Sequence, residues 1–493
     1  MKFKNTAIVT ALSFIATIAL TACGHDPMMD DEIEIPEPVS TREIVTEPTE
    51  EVTEEETTEP APTEPNRTML GSGGDTFTVL SWNPYDASYL LADWLGMDVN
   101  NVKDGADMKT KSGTKVKFIC LSVGGSDAYE YYDKLFNEGE DIDVYLCEPD
   151  WALKLLNNDS RSAPIEALGI SEDELSEMYP YTLEQGRDNK GVLKALTWGA
   201  SPGCFAYNAE LAEKYLNVKT PEEMQVKVAD WEKFKETAKT VSEVSKGKTA
   251  LADSVDGMWT AYTGKLTSPL INDNKLNISN EIKQFADLAK DLWDCGGVSK
   301  NGQWTDDWMY AGQKECCMGY FIPSWGFDNY GFGMTVTEGN TLGKWALCEG
   351  PSPYSWGGTM LAVNTATDNG NEALDFIYYS TIDVSGLIDS AYQASYVPNC
   401  LDVTSFLIED EFIYDDEITK HFINGQDYMS ILDRNAKALD YTGIITEYDA
   451  DIKFAIVDSI SQKYLKDGNS WEETCEYIED KVEALMLPDL KTR

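Results

Sequence analysis

The chain has 493 residues and a formal net charge of −47. This acidic balance excludes proteins that bind nucleic acid through a basic surface, and it argues equally against anionic substrates held by a broad basic surface. About 425 residues remain after the polar N-terminal region, which is too many for one ordinary hydrophobic core and favours two domains.

Residues 1–22 have the layout of an export signal. Two lysines precede an apolar stretch from about Ala7 to Leu20, and small residues then lead to Cys23. The apolar stretch is shorter than the ~20 residues that span a bilayer. The tetrapeptide Leu-Thr-Ala-Cys that ends at Cys23 resembles a bacterial lipobox, and this resemblance implies cleavage before Cys23 and lipidation of that residue. The alternative is a plain secretory signal with a chance cysteine.

Residues 23–70 are predicted to form a disordered linker that follows the lipidated cysteine. Residues 26–67 contain fifteen Asp or Glu, two Arg, many Thr and Pro, and no aromatic residue. Such a segment buries too little apolar area to offset the entropy of ordering it. Like charges and prolines extend it, with an upper reach of ~130 Å. We expect a leash that lifts the remaining chain off a membrane; a solubilising tail is a compatible, simpler interpretation.

The cysteines and histidines argue against several kinds of site. Nine cysteines follow Cys23, an odd number, and no CxxC pair occurs. They are therefore predicted to be mostly small buried apolar residues, with one disulfide left open. The only histidines are His25 and His421, which excludes a zinc site built on several histidines. A Ser-His-Asp triad would need His421, but that residue lies in a helix-like segment and the sequence offers no nucleophile elbow. We predict no metal, no cofactor and no catalytic residue.

Strand and helix patterns alternate from residue 75 onwards. The segment "DTFTVLSWN" at 75–83 predicts a strand and "DASYLLADWLG" a helix, and "TKVKFICLSVG" with "DAYEYYDKLFNEG" repeats that order. The segment "DIDVYLCEPDWALKLLNN" predicts a buried strand that runs directly into a helix. This alternation indicates βαβ units and a parallel sheet.

The second half of the chain continues the mixed pattern. Thr220 before Pro221 predicts a helix cap, and "NDNKLN" at 272–277 predicts a hairpin turn, since it lacks the Gly and Glu of a calcium loop. The segments "QKECCMGYFIPSW" and "SWGGTMLAVNTATDNGNEALDFIYYST" predict strands, the latter followed by a helix, and "WEETCEYIEDKVEALM" predicts a C-terminal helix.

Taken together, these segments resemble an extracellular solute-binding protein of an ABC importer, in the carbohydrate-binding, maltose-binding-like group. The resemblance rests on the lipobox and on "DIDVYLCEPDWA", "GVLKALTWGASPGCFAYNAELAEKY", "AGQKECCMGYFIPSW" and "SWGGTMLAVNTATDNGNEALDFIYY" in that order. It covers roughly residues 75–485. One departure is the turn Pro-Ser-Trp, where that family usually has Gly-Pro-Trp.

The resemblance implies an α/β fold of two lobes, like that of periplasmic binding proteins, with a ligand cleft between them. It implies a first lobe of residues 75–197 and 356–410 and a second of 198–355 and 411–493. It further implies a monomeric, non-catalytic protein at the outer face of the bacterial cell membrane that passes a sugar to permease subunits. A lipid-anchored glycoside hydrolase, a binding protein for a peptide or another polar solute, and an adhesive surface protein remain alternatives.

Aromatic residues at strand ends and turns are the candidates for binding a sugar. A sugar presents weakly apolar C–H faces that stack on rings, and hydroxyl groups that need carboxylates and amides. The chain has 13 Trp and 25 Tyr, and the strongest candidates are Trp325 and Trp356. For each aromatic residue the alternative is core packing, and for the paired glycines an ordinary tight turn. The predicted ligand-binding residues are Trp82, Asn83, Asp150, Trp151, Trp198, Tyr207, Trp325, Trp356, Gly357 and Gly358.

Overall fold

The computed structural model describes residues 67–123, 125–327, 341–394, 396–409, 423, 425–487 and 490–492. All of them belong to the unit formed by residues 66–493. The predicted export signal, Cys23, nearly all of the predicted linker and His421 lie outside the described residues.

The strands and helices are numbered separately in chain order. The strands are β1 (Thr76–Ser81), β2 (Met108–Lys109), β3 (Lys115–Cys120), β4 (Val144–Cys147), β5 (Ala195–Thr197), β6 (Gly199–Ala200), β7 (Gly203–Asn208), β8 (Ile271–Asn272), β9 (Lys275–Leu276), β10 (Gly319–Pro323), β11 (Trp345–Cys348), β12 (Met360–Val363) and β13 (Val397–Pro398). The helices are α1 (Tyr85–Leu95), α2 (Gly125–Glu138), α3 (Pro149–Leu156), α4 (Pro180–Gln185), α5 (Ala209–Leu216), α6 (Pro221–Val228), α7 (Trp231–Ser245), α8 (Val255–Thr263), α9 (Asn280–Cys295), α10 (Asp306–Ala311), α11 (Gly370–Thr381), α12 (Val384–Ala394), α13 (Leu401–Glu409), α14 (Met429–Lys437), α15 (Asp449–Ser459) and α16 (Trp471–Ala484).

The first lobe is built on a six-stranded sheet in the order β2-β3-β1-β4-β12-β5. Its strands β3, β1 and β4 are parallel, as the alternating pattern predicted, because α1 and α2 provide the crossovers. Strand β12 is antiparallel to both β4 and β5. The sheet is therefore mixed rather than purely parallel, because the chain returns to it from the second lobe in the opposite direction.

The second lobe is built on a three-stranded antiparallel sheet in the order β10-β7-β11. Side chains of β7 alternate between two cores: Phe205 and Tyr207 enter one, and Cys204 and Ala206 the other. Helices α5 to α9, α15 and α16 cover the first of these cores. Because both faces are buried, the strand reads as a continuous apolar run.

Local signals in the sequence account for several of the element boundaries. The Thr220 hydroxyl accepts a hydrogen bond from Glu223 N at 3.3 Å and Pro221 occupies the first turn, which confirms the predicted cap. The "NDNKLN" segment forms the β8–β9 hairpin, with Asp273 and Asn274 both at positive φ. It is a turn, as predicted.

Within the described part of the chain, two segments that we call the crossing segments connect the lobes: residues 198–202, between β5 and β7, and residues 349–359, between β11 and β12. They lie side by side, since Trp356 N donates to Ser201 O at 3.0 Å and Pro202 pairs with Ser355. Strand β13 adds a third strand to this region by pairing with β6.

All nine cysteines from Cys120 to Cys475 lie within the described residues and are unpaired. Four of them are buried, and Cys316 is exposed. The disulfide that the sequence left open is therefore absent here. None of the helices described above has both the length and the apolar composition that a membrane crossing requires.

Candidate functional site

The crossing segments and the end of β10 bring three tryptophans together, which we call the indole cluster: Trp304, Trp325 and Trp356. The ring of Trp325 lies nearly parallel to that of Trp304, with centroids 6.2 Å apart and planes at 12°. Trp356 meets the edge of Trp325 at 5.7 Å and lies 5.7 Å from Trp304. These contacts gather apolar ring surface at the junction of the lobes.

Backbone contacts hold the Trp325 ring in place. Its indole nitrogen donates to Trp356 O at 2.8 Å. Gly357 adopts φ +66°, and a Cβ atom there would lie 3.2 Å from the Trp325 indole nitrogen. Both the left-handed backbone and this close approach favour glycine. The predicted pair Gly357 and Gly358, both at positive φ, thus lets the backbone approach closely enough for the two tryptophans to meet.

Trp304 is the most exposed member of the cluster, with 47% of its surface accessible. Its φ of +65° is uncommon for a bulky residue, and such strain is often found at functional sites. The ring packs on Trp308 at 5.1 Å, and the buried Trp308 donates to Asp253 Oδ2 at 2.7 Å. Burial raises the pKa of Asp253 to about 6 even though Trp308 opposes that rise. A buried polar contact therefore supports the exposed indole from beneath.

A small cavity of about 70 Å³ adjoins the indole cluster through Gly357. The first lobe contributes Asp150, at the start of α3, and Gln185. The second lobe contributes Asp449 and Lys453 from α15. The cavity therefore lies where strand ends of one lobe face a helix of the other, which is a usual location for ligand sites in α/β folds.

Carboxylates are concentrated at the carboxyl ends of β1 and β4, beside this cavity. Burial raises the pKa of Glu148 to about 8, and the neighbouring charge of Asp150 adds to the shift. Burial also raises the pKa of Asp86, whereas the hydroxyl groups of Thr359 and Tyr396 donate to that carboxylate and oppose the rise. These groups supply hydrogen-bonding oxygens at the strand ends, and Glu148, protonated at neutral pH, can also donate a hydrogen bond.

Two polar contacts cross between the lobes, and we call them the interlobe clamp. Lys154 Nζ lies 2.8 Å from Asp451 Oδ2, and Asn157 Nδ2 donates to Glu447 Oε2 at 2.6 Å. Lys154 lies within α3 of the first lobe and Asn157 directly after it, whereas Asp451 belongs to α15 of the second lobe. The clamp therefore joins the C-terminal part of α3 to the start of α15.

Four predicted site residues lie around this region: Trp325, Trp356, Gly357 and Asp150. Gly357 and Asp150 line the cavity itself. The other predicted residues have structural surroundings. Asn83 caps α1, because its Oδ1 accepts from Tyr85 N and Asp86 N. The half-buried Trp82 packs at the edge of the α2–α3 core.

Three further predicted aromatic residues are buried in the cores. Trp151 is 4% exposed and meets the edge of Tyr132 at 5.2 Å. Trp198 packs on Tyr396 at 4.4 Å, and Tyr207 is enclosed in the second lobe. Their burial leaves little surface for a ligand, and core packing, the alternative that the sequence left open, accounts for their contacts.

Trp304 and Lys453 are not among the residues that the sequence predicts for the site. Trp304 stands directly before Thr305, which caps α10 by accepting from Trp308 N, so it meets the same criterion of a tryptophan at a break. No comparable signal marks Lys453, which lies in an ordinary helix of the second lobe. Among the described residues, no group of three or more His, Cys, Asp or Glu is arranged to hold a metal ion.

Comparisons with known proteins agree with this architecture. Residues 106–420 match the family described as bacterial extracellular solute-binding protein. One similar solved structure is an extracellular solute-binding protein family 1 member, with TM-score 0.68, 15% identity and coverage of 83% of this chain and 99% of that one.

Two other similar structures have sugars bound. The galacto-N-biose/lacto-N-biose I-binding protein of Bifidobacterium longum, in complex with lacto-N-biose, has TM-score 0.62 and 14% identity, covering 84% of this chain and 99% of that one. An ABC transporter associated binding protein of B. animalis subsp. lactis, in complex with β-1,6-galactobiose, has TM-score 0.58 and 19% identity, covering 84% and 97%. At these identities the likeness establishes the fold. No curated protein matched by sequence.

Proposed function

Because the chain belongs to the bacterial extracellular solute-binding protein family, we propose that it is the substrate-binding component of an ABC importer. In this proposal it captures a sugar or oligosaccharide outside the cell and delivers it to permease subunits. The observation that carries the sugar assignment is the indole cluster beside the interlobe cavity. Solved proteins of this fold with lacto-N-biose and β-1,6-galactobiose bound support it.

The chemistry of the site suits a polyhydroxylated ring. Indole faces bury the C–H surfaces of a sugar, and the carboxylates and Lys453 offer acceptors and donors to its hydroxyl groups. The cavity of about 70 Å³ is smaller than the ~300 Å³ of a typical small ligand site. The lobes must therefore move apart by a hinge motion to admit a saccharide, and they then close around it.

We expect the protein to act as a monomer held at the outer face of the cell membrane through lipidated Cys23 and the acidic linker. Residues 75–197 with 356–410, and 198–355 with 411–493, would be the two moving lobes. In cells, Cys23→Ser should release the protein from the membrane fraction into the soluble fraction. Retention of that variant on the membrane would contradict the anchor.

A thermal-shift screen across mono- and oligosaccharides tests the ligand class. A saccharide at 100 times its dissociation constant should stabilise the protein by ~2.7 kcal/mol, which is readily visible in the melting temperature. Peptides and amino acids serve as the comparison set. Stabilisation by those solutes, with none by saccharides, would overturn the sugar assignment while leaving the family role intact.

The second candidate, a lipid-anchored glycoside hydrolase, is favoured by one observation: Glu148, with a pKa of about 8, lies next to Asp150. A carboxyl with a raised pKa beside a second carboxyl is the arrangement that such catalysis uses. We propose binding without catalysis, in keeping with the family. Incubation with the stabilising oligosaccharide should produce no new reducing ends, and their appearance, lost in Glu148→Gln, would establish the hydrolase.

A further inference from the structure

Two opposite charges from different lobes line the cavity. Asp150 lies in the first turn of α3, and Lys453 lies on α15 of the second lobe. Both side chains line the same small cavity. A molecule that enters the cavity therefore meets a carboxylate from one lobe and an ammonium group from the other.

Neither charge is held by a hydrogen bond within the described residues, although Asp449 and Asp150 attract Lys453 at longer range. Among the described residues, the carboxylate of Asp150 and the ammonium of Lys453 form no hydrogen bond or ion pair, either with each other or with a neighbour. Other polar groups of the cavity are occupied. Thr446 donates to Asp449, and the Tyr441 hydroxyl accepts from Ser355 N at 3.0 Å.

A ligand that enters the cavity displaces water from both charges and must replace the hydrogen bonds that this water made, because desolvating a charge without them is costly. Asp150 can only accept, and Lys453 can only donate. A hydroxyl group does both, so one hydroxyl or two adjacent ones can satisfy the pair at the same time. A carboxylate satisfies Lys453 alone, and an ammonium group satisfies Asp150 alone.

The surrounding charges sharpen this selection. Asp449 lies one turn before Lys453 on α15, so the three groups together carry an excess of one negative charge. The attraction of Asp449 and Asp150 raises the pKa of Lys453 in spite of its burial, which keeps its ammonium charged. This excess of negative charge disfavours an anionic ligand, whereas a cationic ligand is disfavoured only where its charge contacts the Lys453 ammonium.

We propose that Asp150 and Lys453 grip the hydroxyl groups of a neutral saccharide from opposite lobes and select it against uronic acids and amino sugars. This inference rests on the proposed function for the ligand class. The two residues share this role, since the first lobe supplies the hydrogen-bond acceptor, Asp150, and the second lobe supplies the donor, Lys453. Saccharide binding through this pair also draws the lobes together.

The test uses two matched sets of probes: glucose, glucuronate and glucosamine, and galactose, galacturonate and galactosamine. Each is titrated by calorimetry into the purified full-length protein and into Lys453→Met and Asp150→Asn. The neutral sugar of a set should bind the parent most tightly. Loss of one charge-assisted hydrogen bond should weaken its binding about tenfold or more in either variant.

A shift in preference separates selection from general damage. Lys453→Met should move the preference towards glucosamine or galactosamine, and Asp150→Asn towards the uronates. Lys463→Met is the control. Lys463 does not line the cavity, and its Nζ pairs with Asp467 Oδ2 at 2.8 Å. This variant should leave every affinity unchanged. Melting curves of the free variants show that each is folded.

The outcomes distinguish this inference from the proposed function. If the parent binds a neutral sugar and both variants keep its affinity and preference, the inference is wrong and the proposed function stands. Tighter binding of a uronate or an amino sugar by the parent would also overturn the inference alone. If no saccharide of either set or of the thermal-shift screen binds the parent, both fail.

Discussion

The interlobe clamp offers a direct test of whether closure of the lobes contributes to affinity. Lys154 Nζ and Asp451 Oδ2 are 2.8 Å apart, and their side chains are 18% and 32% exposed. The Lys154 ammonium also lies 5.3 Å from the centre of the Tyr129 ring. The perturbation is Lys154→Met, which keeps most of the aliphatic side chain and removes the charge.

The expected size follows from this partial exposure. Exposed ion pairs contribute ~0.2–1 kcal/mol, whereas removing one partner of a buried pair costs ~3–5 kcal/mol. Solvent screening places the half-buried clamp nearer the lower range, at about 1 kcal/mol. If the pair forms only when the lobes are closed and the ligand binds that state, the dissociation constant should rise about fivefold.

Calorimetry with the saccharide that gives the largest thermal shift measures this change. Asp451→Asn should weaken binding to a similar extent, and the double variant should be no weaker than either single variant. Lys190→Met is the matched control, because Lys190 pairs with Asp159 at 2.7 Å entirely within the first lobe. Unchanged affinity in both clamp variants, or an equal loss in the control, would refute the reasoning.

Three further changes test the site and the fold. Trp304→Ala should abolish the saccharide-induced thermal shift. It should lower the stability of the free protein by less than ~1 kcal/mol, because the ring is half exposed. Phe406, whose side chain is similarly exposed, is the control, and Phe406→Ala should preserve the shift. A lost shift in both variants would contradict a specific role for Trp304. Lys194→Met should destabilise the first lobe by ~3 kcal/mol in denaturant titration. The reason is that Asp188 is buried with its carboxylate 3.0 Å from Lys194 Nζ, and the variant leaves that carboxylate without its cation. A loss of stability below ~1 kcal/mol would contradict this. The pKa of Glu148 is about 8 in the folded protein against 4.5 ordinarily, so stability falls as pH rises between these values. Glu148→Gln should remove that fall, with a slope difference of at most ~1.4 kcal/mol per pH unit, and parallel stability curves would show that the carboxyl is not buried in this way.

Local sequence patterns were sufficient to predict most elements of the fold. The strand and helix from "DIDVYLCEPDWALKLLNN" appear as β4 and α3, and the cap at Thr220 is formed as expected. What these patterns could not predict is the direction of β12, because a short apolar strand reads the same in parallel and antiparallel pairing. The two-lobe architecture followed from the family resemblance.

The candidate site was only partly predictable, for two physical reasons. A strand buried on both faces gives no alternation, so nothing in the sequence around Tyr207 indicates that its ring enters the core. Groups that meet across the cavity are also distant in the chain: Asp150 and Lys453 come together only through the packing of the two lobes. Trp325 and Trp356, by contrast, stand at turns that the sequence marks with Pro and Gly.

Gly357 lies both on a connection between the lobes and against the Trp325 ring. Rotation of one lobe relative to the other must pass through backbone torsions of that same short stretch. The same short stretch of chain therefore belongs to the hinge and lines the cavity. The cavity surface that a ligand contacts consequently changes whenever the angle between the lobes changes. The fit of a ligand against the indole rings is thereby coupled to the angle between the lobes.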